Sequence, residues 1–445
     1  MISIKPFKGL RPRKDIVDKV AAKPYDVLNS QEAKEEAKEN PYSFLRISKP
    51  EIVFMPDSFV ENETQAKLSD LMKTVLGTNK LSFNQAVDQY AEEVYAKGKE
   101  VFDTFVKEGI LIRDEKPCLY IYAQTMDGRT QTGLVAGSSI DDYFNGSIKK
   151  HELTLVAKEN DRIKHMKTKM AQPGMVFLTY KSVEEIDVII DHYCKHHEAE
   201  NDFTDSQNVR HQLWKIDNEN IINKLVSLFH EQVPASYIAD GHHRSAASAK
   251  VGKQLREENP NYTGEEPFNY FLSCLFPSNQ LQIQDYNRLV KDLNGLTEED
   301  LLNKISEHFE VEKIGTQIYK PAHLHEFSMY VNGNWYKLIA QPATYDENDP
   351  IGVLDVTILS NYILDPVLNI KDQRTDKRID FVGGIRGLGE LQKRVDSGEM
   401  KIAFAFYPVS LDQLIAIADS GNIMPPKSTW FEPKLKSGLV INVLN

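Results

Sequence analysis

The stretch SYIADGHHRSAASAK, residues 236–250, decides how this chain is read. Tyr237, Ile238 and Ala239 have the make-up of the end of a short buried strand. Residues 245–254 are rich in alanine and include lysines towards their end, which predicts a helix. Between them stand Asp240, Gly241, His242, His243 and Arg244. A helix N-terminus carries unsatisfied N–H groups and a partial positive charge, so polar residues gathered there suit an anion. Gly241 can take a positive φ and lets a ligand approach the backbone closely. Arg244 offers a planar fork matched to phosphate oxygens, and Ser245 adds a hydroxyl donor. His242 and His243 can donate ring N–H bonds or move a proton. Asp240, at the strand end, can hold a metal ion or accept a hydroxyl proton. A plain turn capped by Asp240 accounts for an Asp-Gly pair. Phosphate binding accounts for all five residues together.

Composition narrows the class. A chain of 445 residues has room for two or three domains with their own cores. A formal net charge of -12 argues against non-specific nucleic-acid binding. Residues 1–10 lack the apolar core of a signal peptide, and no apolar run approaches the roughly 18 residues of a membrane span. Cys118, Cys194 and Cys274 are far apart and odd in number, which speaks against a disulfide framework and a CxxC metal site. The expectation is a cytoplasmic protein.

Outward from the quoted stretch, the pattern is mixed. Residues 1–41 read as irregular, too irregular for a core element, although Asn29 and Glu32 have capping-box spacing for a helix before Pro41. Residues 84–108 predict a long helix with Val87, Tyr90, Val94, Val101, Phe102 and Phe105 on one side. Residues 118–140 alternate as a hairpin around Asp127-Gly128, and residues 327–339 do so around Asn332-Gly333. The charged run 148–166 predicts the start of a helix. Residues 183–197 and 221–231 predict amphipathic helices, and 268–276 a strand. The last hundred residues alternate helix and strand: 354–364, 379–382, 388–395, 402–406 and 411–418. Neither an internal repeat nor a low-complexity linker interrupts this, so an α+β architecture is expected.

The quoted junction resembles the phosphate-binding motif of the ParB/sulfiredoxin-like superfamily. Nearly the whole chain resembles the family called domain of unknown function 1015, through PFKGLRP, PYDV, HELT…DR, YIADGHHRSAA and MPPKSTWFEPKLKSGLVI. That resemblance implies a ParB/sulfiredoxin-like nucleotide-binding core with an additional α/β C-terminal region. It divides the chain into residues 1–115, irregular and helical and contributing to the cleft, 116–290, the core with the loop, and 291–445. The nearest functional analogue it implies is the archaeal free-serine kinase. Sulfinic-acid repair does not follow, because His242 stands where sulfiredoxin has its reactive cysteine. DNA partition does not follow either, since the chain is acidic and shows no helix-turn-helix.

Other segments compete for the chemistry. His151 and Glu152 open HELT as in a zinc protease, but Leu155 replaces the second histidine. The family-like segment implies that His151, Glu152, Asp161 and Arg162 line the cleft; a solvated, salt-bridged helix face explains the same charges. His192 and His196 lie four apart without an evident third ligand. FVGGIRGLGEL, residues 381–391, has the wrong glycine order for a dinucleotide fingerprint. GNIMPPKST, residues 421–429, ends like a P-loop, yet Pro425 and Pro426 remove the N–H groups such a loop uses. Lys427 there can reach a phosphate as a point charge.

The expected activity is therefore a nucleotide-dependent phosphotransferase using ATP or another nucleoside triphosphate with Mg2+ on a small hydroxylated metabolite. Asp240, His243 and Glu152 are the expected catalytic residues. Gly241, His242, His243, Arg244, Ser245, Arg162 and Lys427 are expected on phosphate, with Arg11, Tyr25, Asp26 and His151 on the substrate side and no resident metal ligands. The alternative is a non-catalytic, nucleotide-binding regulator of the ParB-like type. Expected partners are the nucleotide and the small molecule, with neither nucleic acid nor membrane; self-association stays open.

Overall fold

The computed structural model describes residues 1–55 and 88–445. The chain divides into two compact units, one of Met1–Lys149, Thr154–Gln280 and Pro433–Asn445, the other of Lys150–Leu153 and Leu281–Glu432. The sequence reading drew three regions. Among the described residues no helix is long and apolar enough to cross a membrane.

Unit 1 is built on a mixed nine-stranded sheet. Its path runs Ile148–Lys149, Ser236–Asp240, Val176–Tyr180, Tyr270–Pro277, Arg129–Ser139, Leu119–Met126, Arg210–Ile216, Asn201–Thr204, and Ile4–Lys5 pairs with Arg129–Ser139. The hairpin of Leu119–Met126 and Arg129–Ser139 turns at Asp127 and Gly128, both at positive φ (50° and 76°), the twist that matches two-residue hairpins. Alternation then sorts the side chains. Ile121, Ala123, Leu134 and Ala136 join one core with Ile186, Ile190, Leu225 and Phe229 of the helices Glu184–His196 and Glu219–Gln232. Tyr120, Tyr122 and Gln124 occupy the other face and are buried there too.

That second face is polar and holds the C-terminal segment. Gln131 donates to Gln124 Oε1 (3.1 Å), whose amide donates to the Lys434 carbonyl (3.0 Å). Lys436 pairs with Asp205 at 2.5 Å, and Asp205 lies 3.2 Å from His211 Nε2. Tyr122 Oη meets His211 Nδ1 at 2.8 Å, closing a satisfied buried network.

The N-terminal segment corrects the sequence reading, which kept it out of the core. Ile2 and Ile4 are 2% and 4% exposed in the sheet's main core, while Leu10, Ile16, Val20 and Ala22 join a second core with Phe44, Phe102 and Phe105. Its strands are only two and three residues long, so no periodicity marked them. The capping box at Asn29 and Glu32 is present and opens the helix Ser30–Ala37. The long helix runs Glu92–Lys107, and residues 84–87 of the expected span lie outside the described residues. The charged run resolves into the strand Ile148–Lys149 and the helix Val156–Lys169.

Unit 2 has a six-stranded sheet ordered Phe309–Gly315, Asn334–Ala340, Glu326–Val331, Ile402–Phe406, Tyr286–Val290, Ile379–Gly383. The Asn332-Gly333 hairpin is present, again with both residues at positive φ. Phe309, Phe327, Leu338, Phe404 and Phe406 form its core with Ile358, Leu359, Ile363 and Leu364 from the helical stretch after Leu354.

Candidate functional site

The strand Ser236–Asp240 lies between Ile148–Lys149, parallel, and Val176–Tyr180, antiparallel. Its register slips between Ile238 and Asp240, an irregularity that re-aims the last side chain. Gly241 follows at φ 97°, and the helix His242–Glu258 starts at once, three residues earlier than the alanine run suggested, without a side-chain cap. Its first backbone bond runs from Ser245 N–H to the Gly241 carbonyl (2.9 Å). A methyl on Gly241 would sit 3.2 Å from the Arg244 guanidinium carbon, so glycine is needed for both φ and packing.

Asp240 is gripped from two sides. Arg244 Nη2 donates to Oδ2 at 2.7 Å and Lys434 Nζ to Oδ1 at 3.2 Å. Burial pushes its carboxyl up, but Lys434 and then Arg244 outweigh that and hold it below the usual range. Arg244, 7% exposed, also donates from Nη1 to the Met175 carbonyl and lies 3.5 Å from Asp26. The guanidinium expected to face phosphate thus braces the loop and ties Asp26 to it. Ser245 Oγ donates back to the His242 carbonyl (3.0 Å). Leu155 N–H donates to His243 Nε2 at 3.0 Å, which places the proton of a neutral His243 on Nδ1. His242 is 5% exposed.

Beside this loop lies an aromatic and charged cluster of unit 1. The Arg162 guanidinium stacks 3.7 Å above the Tyr25 ring and is held by Asp161. Tyr95 Oη donates to Asp161 Oδ1 at 2.6 Å. Burial, and next Asp26, push the Tyr25 hydroxyl far above the ordinary phenol range. Tyr25 and Asp26 therefore join the loop through Arg162 and Arg244. Arg11 is held in another cluster: it forks onto Asp114 (both bonds 2.8 Å) and pairs with Glu200.

Three expected residues belong to unit 2. His151, 2% exposed, gives its carbonyl to Met424 N–H (2.8 Å), and its Nε2 lies 3.5 Å from Thr429 Oγ1. Glu152 follows it in the segment Lys150–Leu153, and Lys427 stands exposed with φ 56°. His192 and His196 stack at 4.1 Å on their helix, and no group of three or more metal-ligating side chains converges among the described residues.

A family described as "Protein of unknown function (DUF1015)" matches residues 4–81 and 78–357. The chain belongs to this family. No curated protein matches it. Among solved structures, the DUF1015 chain aligns with a free serine kinase variant in complex with AMP at TM-score 0.33 and 12% identity, over 67% of this chain and 90% of that one. It aligns with a conserved hypothetical protein from Pyrococcus furiosus at TM-score 0.32 and 12% identity, over 67% and 91%. It also aligns with C-terminally truncated SbnI from Staphylococcus aureus at TM-score 0.36 and 9% identity, over 67% and 82%.

Sequence reasoning about this DUF1015 protein passed over Lys434, which lies in a quoted segment but seven residues beyond the lysine singled out. Its partner Asp240 is 194 positions away, and no local pattern announces such a pair. Tyr95 was missed for the same reason: its partner Asp161 is 66 positions away.

Proposed function

We propose that this protein is a nucleotide-dependent phosphotransferase acting on a small hydroxylated metabolite, with residues 240–245 as its phosphate site. One observation carries this: a strand ends in an acid, a left-handed glycine turns the chain, and a 17-residue helix opens with no side-chain cap. Such an N-terminus favours the phosphates of ATP or another nucleoside triphosphate. Phosphoryl transfer needs positioning and charge neutralisation more than covalent chemistry. The ParB/sulfiredoxin-like character of the unit 1 core is part of this proposal.

Asp240, with its carboxyl held low, is a poor proton acceptor. Its role in this reading is electrostatic, orienting the acceptor hydroxyl or completing the shell of a Mg2+ that arrives on the nucleotide. His243, protonated on Nδ1, donates to phosphate, with His242 beside it. Arg162, Tyr25 and Asp26 form the substrate wall, while Arg11 acts as a brace. Roles for His151, Glu152 and Lys427 of unit 2 in the same reaction rest on the sequence pattern. The second reading, a nucleotide-binding regulator without turnover, is favoured by the two cations that already satisfy both oxygens of Asp240.

Phosphorus NMR of the protein with ATP or CTP, Mg2+ and a panel of hydroxylated metabolites separates them. Conversion of the nucleoside triphosphate to the nucleoside diphosphate with a new phosphoester signal on the acceptor, lost in Asp240→Asn with nucleotide affinity kept in calorimetry, is the expected outcome. Affinity without a phosphoester formed on any acceptor favours the regulator. Absence of nucleotide binding ends both readings.

A further inference from the structure

Unit 2 contains a wholly buried guanidinium whose partners, among the described residues, are all neutral. Arg288 is 0% exposed. Its Nε donates to Gln373 Oε1 (3.3 Å), Nη1 to the carbonyls of Tyr286 (2.6 Å) and Lys427 (3.0 Å), and Nη2 to the carbonyl of Pro426 (2.9 Å). Phe381 and Phe406 flank it, with ring centroids 5.2 and 5.1 Å away. Burial pushes its pKa down to about 9, which leaves it a cation at neutral pH. Arginine is almost never fully buried without an acid, because an uncompensated interior charge is costly.

The loop that Arg288 grips is itself unusual. Pro425 and Pro426 fix two φ angles, and Lys427 follows in the left-handed region at φ 56°, which side chains with a Cβ enter only under strain. Ser428 Oγ donates to the Pro425 carbonyl at 2.7 Å and tightens the turn. Two consecutive carbonyls, those of Pro426 and Lys427, point inward at Arg288. In a trans peptide the N–H is directed opposite to the C=O, so the N–H groups of Lys427 and Ser428 are directed away from the guanidinium. Successive N–H groups around a left-handed residue form an anion-binding concavity. The exposed Lys427, whose Nζ lies 5.8 Å from the Tyr286 ring centroid, brings a second positive charge to the loop, and Arg288 holds its carbonyl side.

We propose that residues 425–429 form an oxyanion-binding loop, taking a phosphate or carboxylate group of a small molecule, with Lys427 touching the anion and Arg288 as the positioning residue. The anion balances the charge of Arg288 that the described residues leave unmatched. This deepens the phosphate role given to Lys427 and is independent of the unit 1 loop.

The test is a pyrophosphate titration of the full chain, selectively labelled with 15N-lysine or 15N-serine. The Lys427 amide is assigned by its disappearance from the 15N-lysine spectrum of Lys427→Arg. Saturable downfield shifts of the Lys427 and Ser428 amides are expected. Arg288→Lys keeps the charge but loses the fork, so affinity read at these amides should fall about tenfold. Lys427→Ala should weaken it to a similar extent with the fold unchanged. Failure of both amides to move, or an Arg288→Lys titration equal to wild type, overturns the proposal. Should Arg288→Lys not fold, Gln373→Ala removes one of its partners and must weaken binding in the same readout. In parallel, 15N-glycine labelling reads Gly241, so the two anion sites fail separately.

Discussion

Lys169 carries its amine inside unit 1, 4% exposed and 2.7 Å from His165 Nδ1. Burial, helped by the nearby Arg162 and only partly opposed by Asp161, pushes its pKa down to about 7. The unfolded chain still binds that proton up to the reference value of about 10.4. Between pH 7 and 10.4 the unfolded state thus holds more protons, and the wild type gains stability as pH rises. Below pH 7 both states are charged and the penalty is complete. Lys169→Met removes this dependence. Its melting temperature relative to wild type should be highest near pH 6.5 and fall by pH 9.5, at a slope of at most about 1.4 kcal/mol per pH unit. An offset that is the same at both pH values would mean that the amine stays charged in the fold. Its helix also carries Asp161 and Arg162, so the substitution is expected to disturb the Tyr25 wall less than a change at either of those.

At the scale of elements, the turn at Gly241 sets the geometry of the loop. Gly241→Ala puts a Cβ at φ 97° and against the Arg244 guanidinium. Left-handed backbone alone costs about 1–2 kcal/mol for such a residue. The variant should melt several degrees lower and lose nucleotide affinity. Gly389→Ala is the control: it lies in the first turn of the helix Leu388–Asp396 at negative φ, with nothing within 4 Å of the added carbon, and should keep or slightly raise the melting temperature. Equal effects of the two would show that the turn has no special conformation. The same scale explains what the sequence revealed. Asp127-Gly128, Asn332-Gly333 and the Asn29–Glu32 box are local chemistry, complete within a few residues, and each was legible. The strand Ile4–Lys5 was not, because its definition is its pairing with Ser138 and Gly137. The loop residues were legible as a group, but the direction of Arg244 was not, since Met175 and Asp26 reach it only through the fold.

At the scale of the whole chain, the two termini meet inside unit 1. Leu10 bridges Ile441, Ala22 bridges Ser437, and the strand Asn442–Val443 pairs with Ala171–Gln172. The same thirteen residues, Pro433–Asn445, supply Lys434 to Asp240 and Lys436 to Asp205. They also bury Leu439, Val440, Ile441 and Leu444, each at most 2% exposed. The tail is therefore a structural strap and a supplier of the charge that keeps Asp240 ionised. Deleting residues 433–445 should act through both roles. Hydrogen exchange is expected to rise in peptides covering residues 1–22 and 119–139, which the strap holds. Peptides covering 326–340, whose partners are strands of unit 2, should keep their protection. Lys434→Met isolates the charge. With the strap still in place, exchange should match wild type, while the Asp240 carboxyl, read by carbon-13 NMR titration, should move up because its largest favourable neighbour is gone. If the deletion leaves exchange in the first two segments unchanged, the strap holds nothing; if Asp240 does not move in Lys434→Met, the lysine is not what keeps it charged.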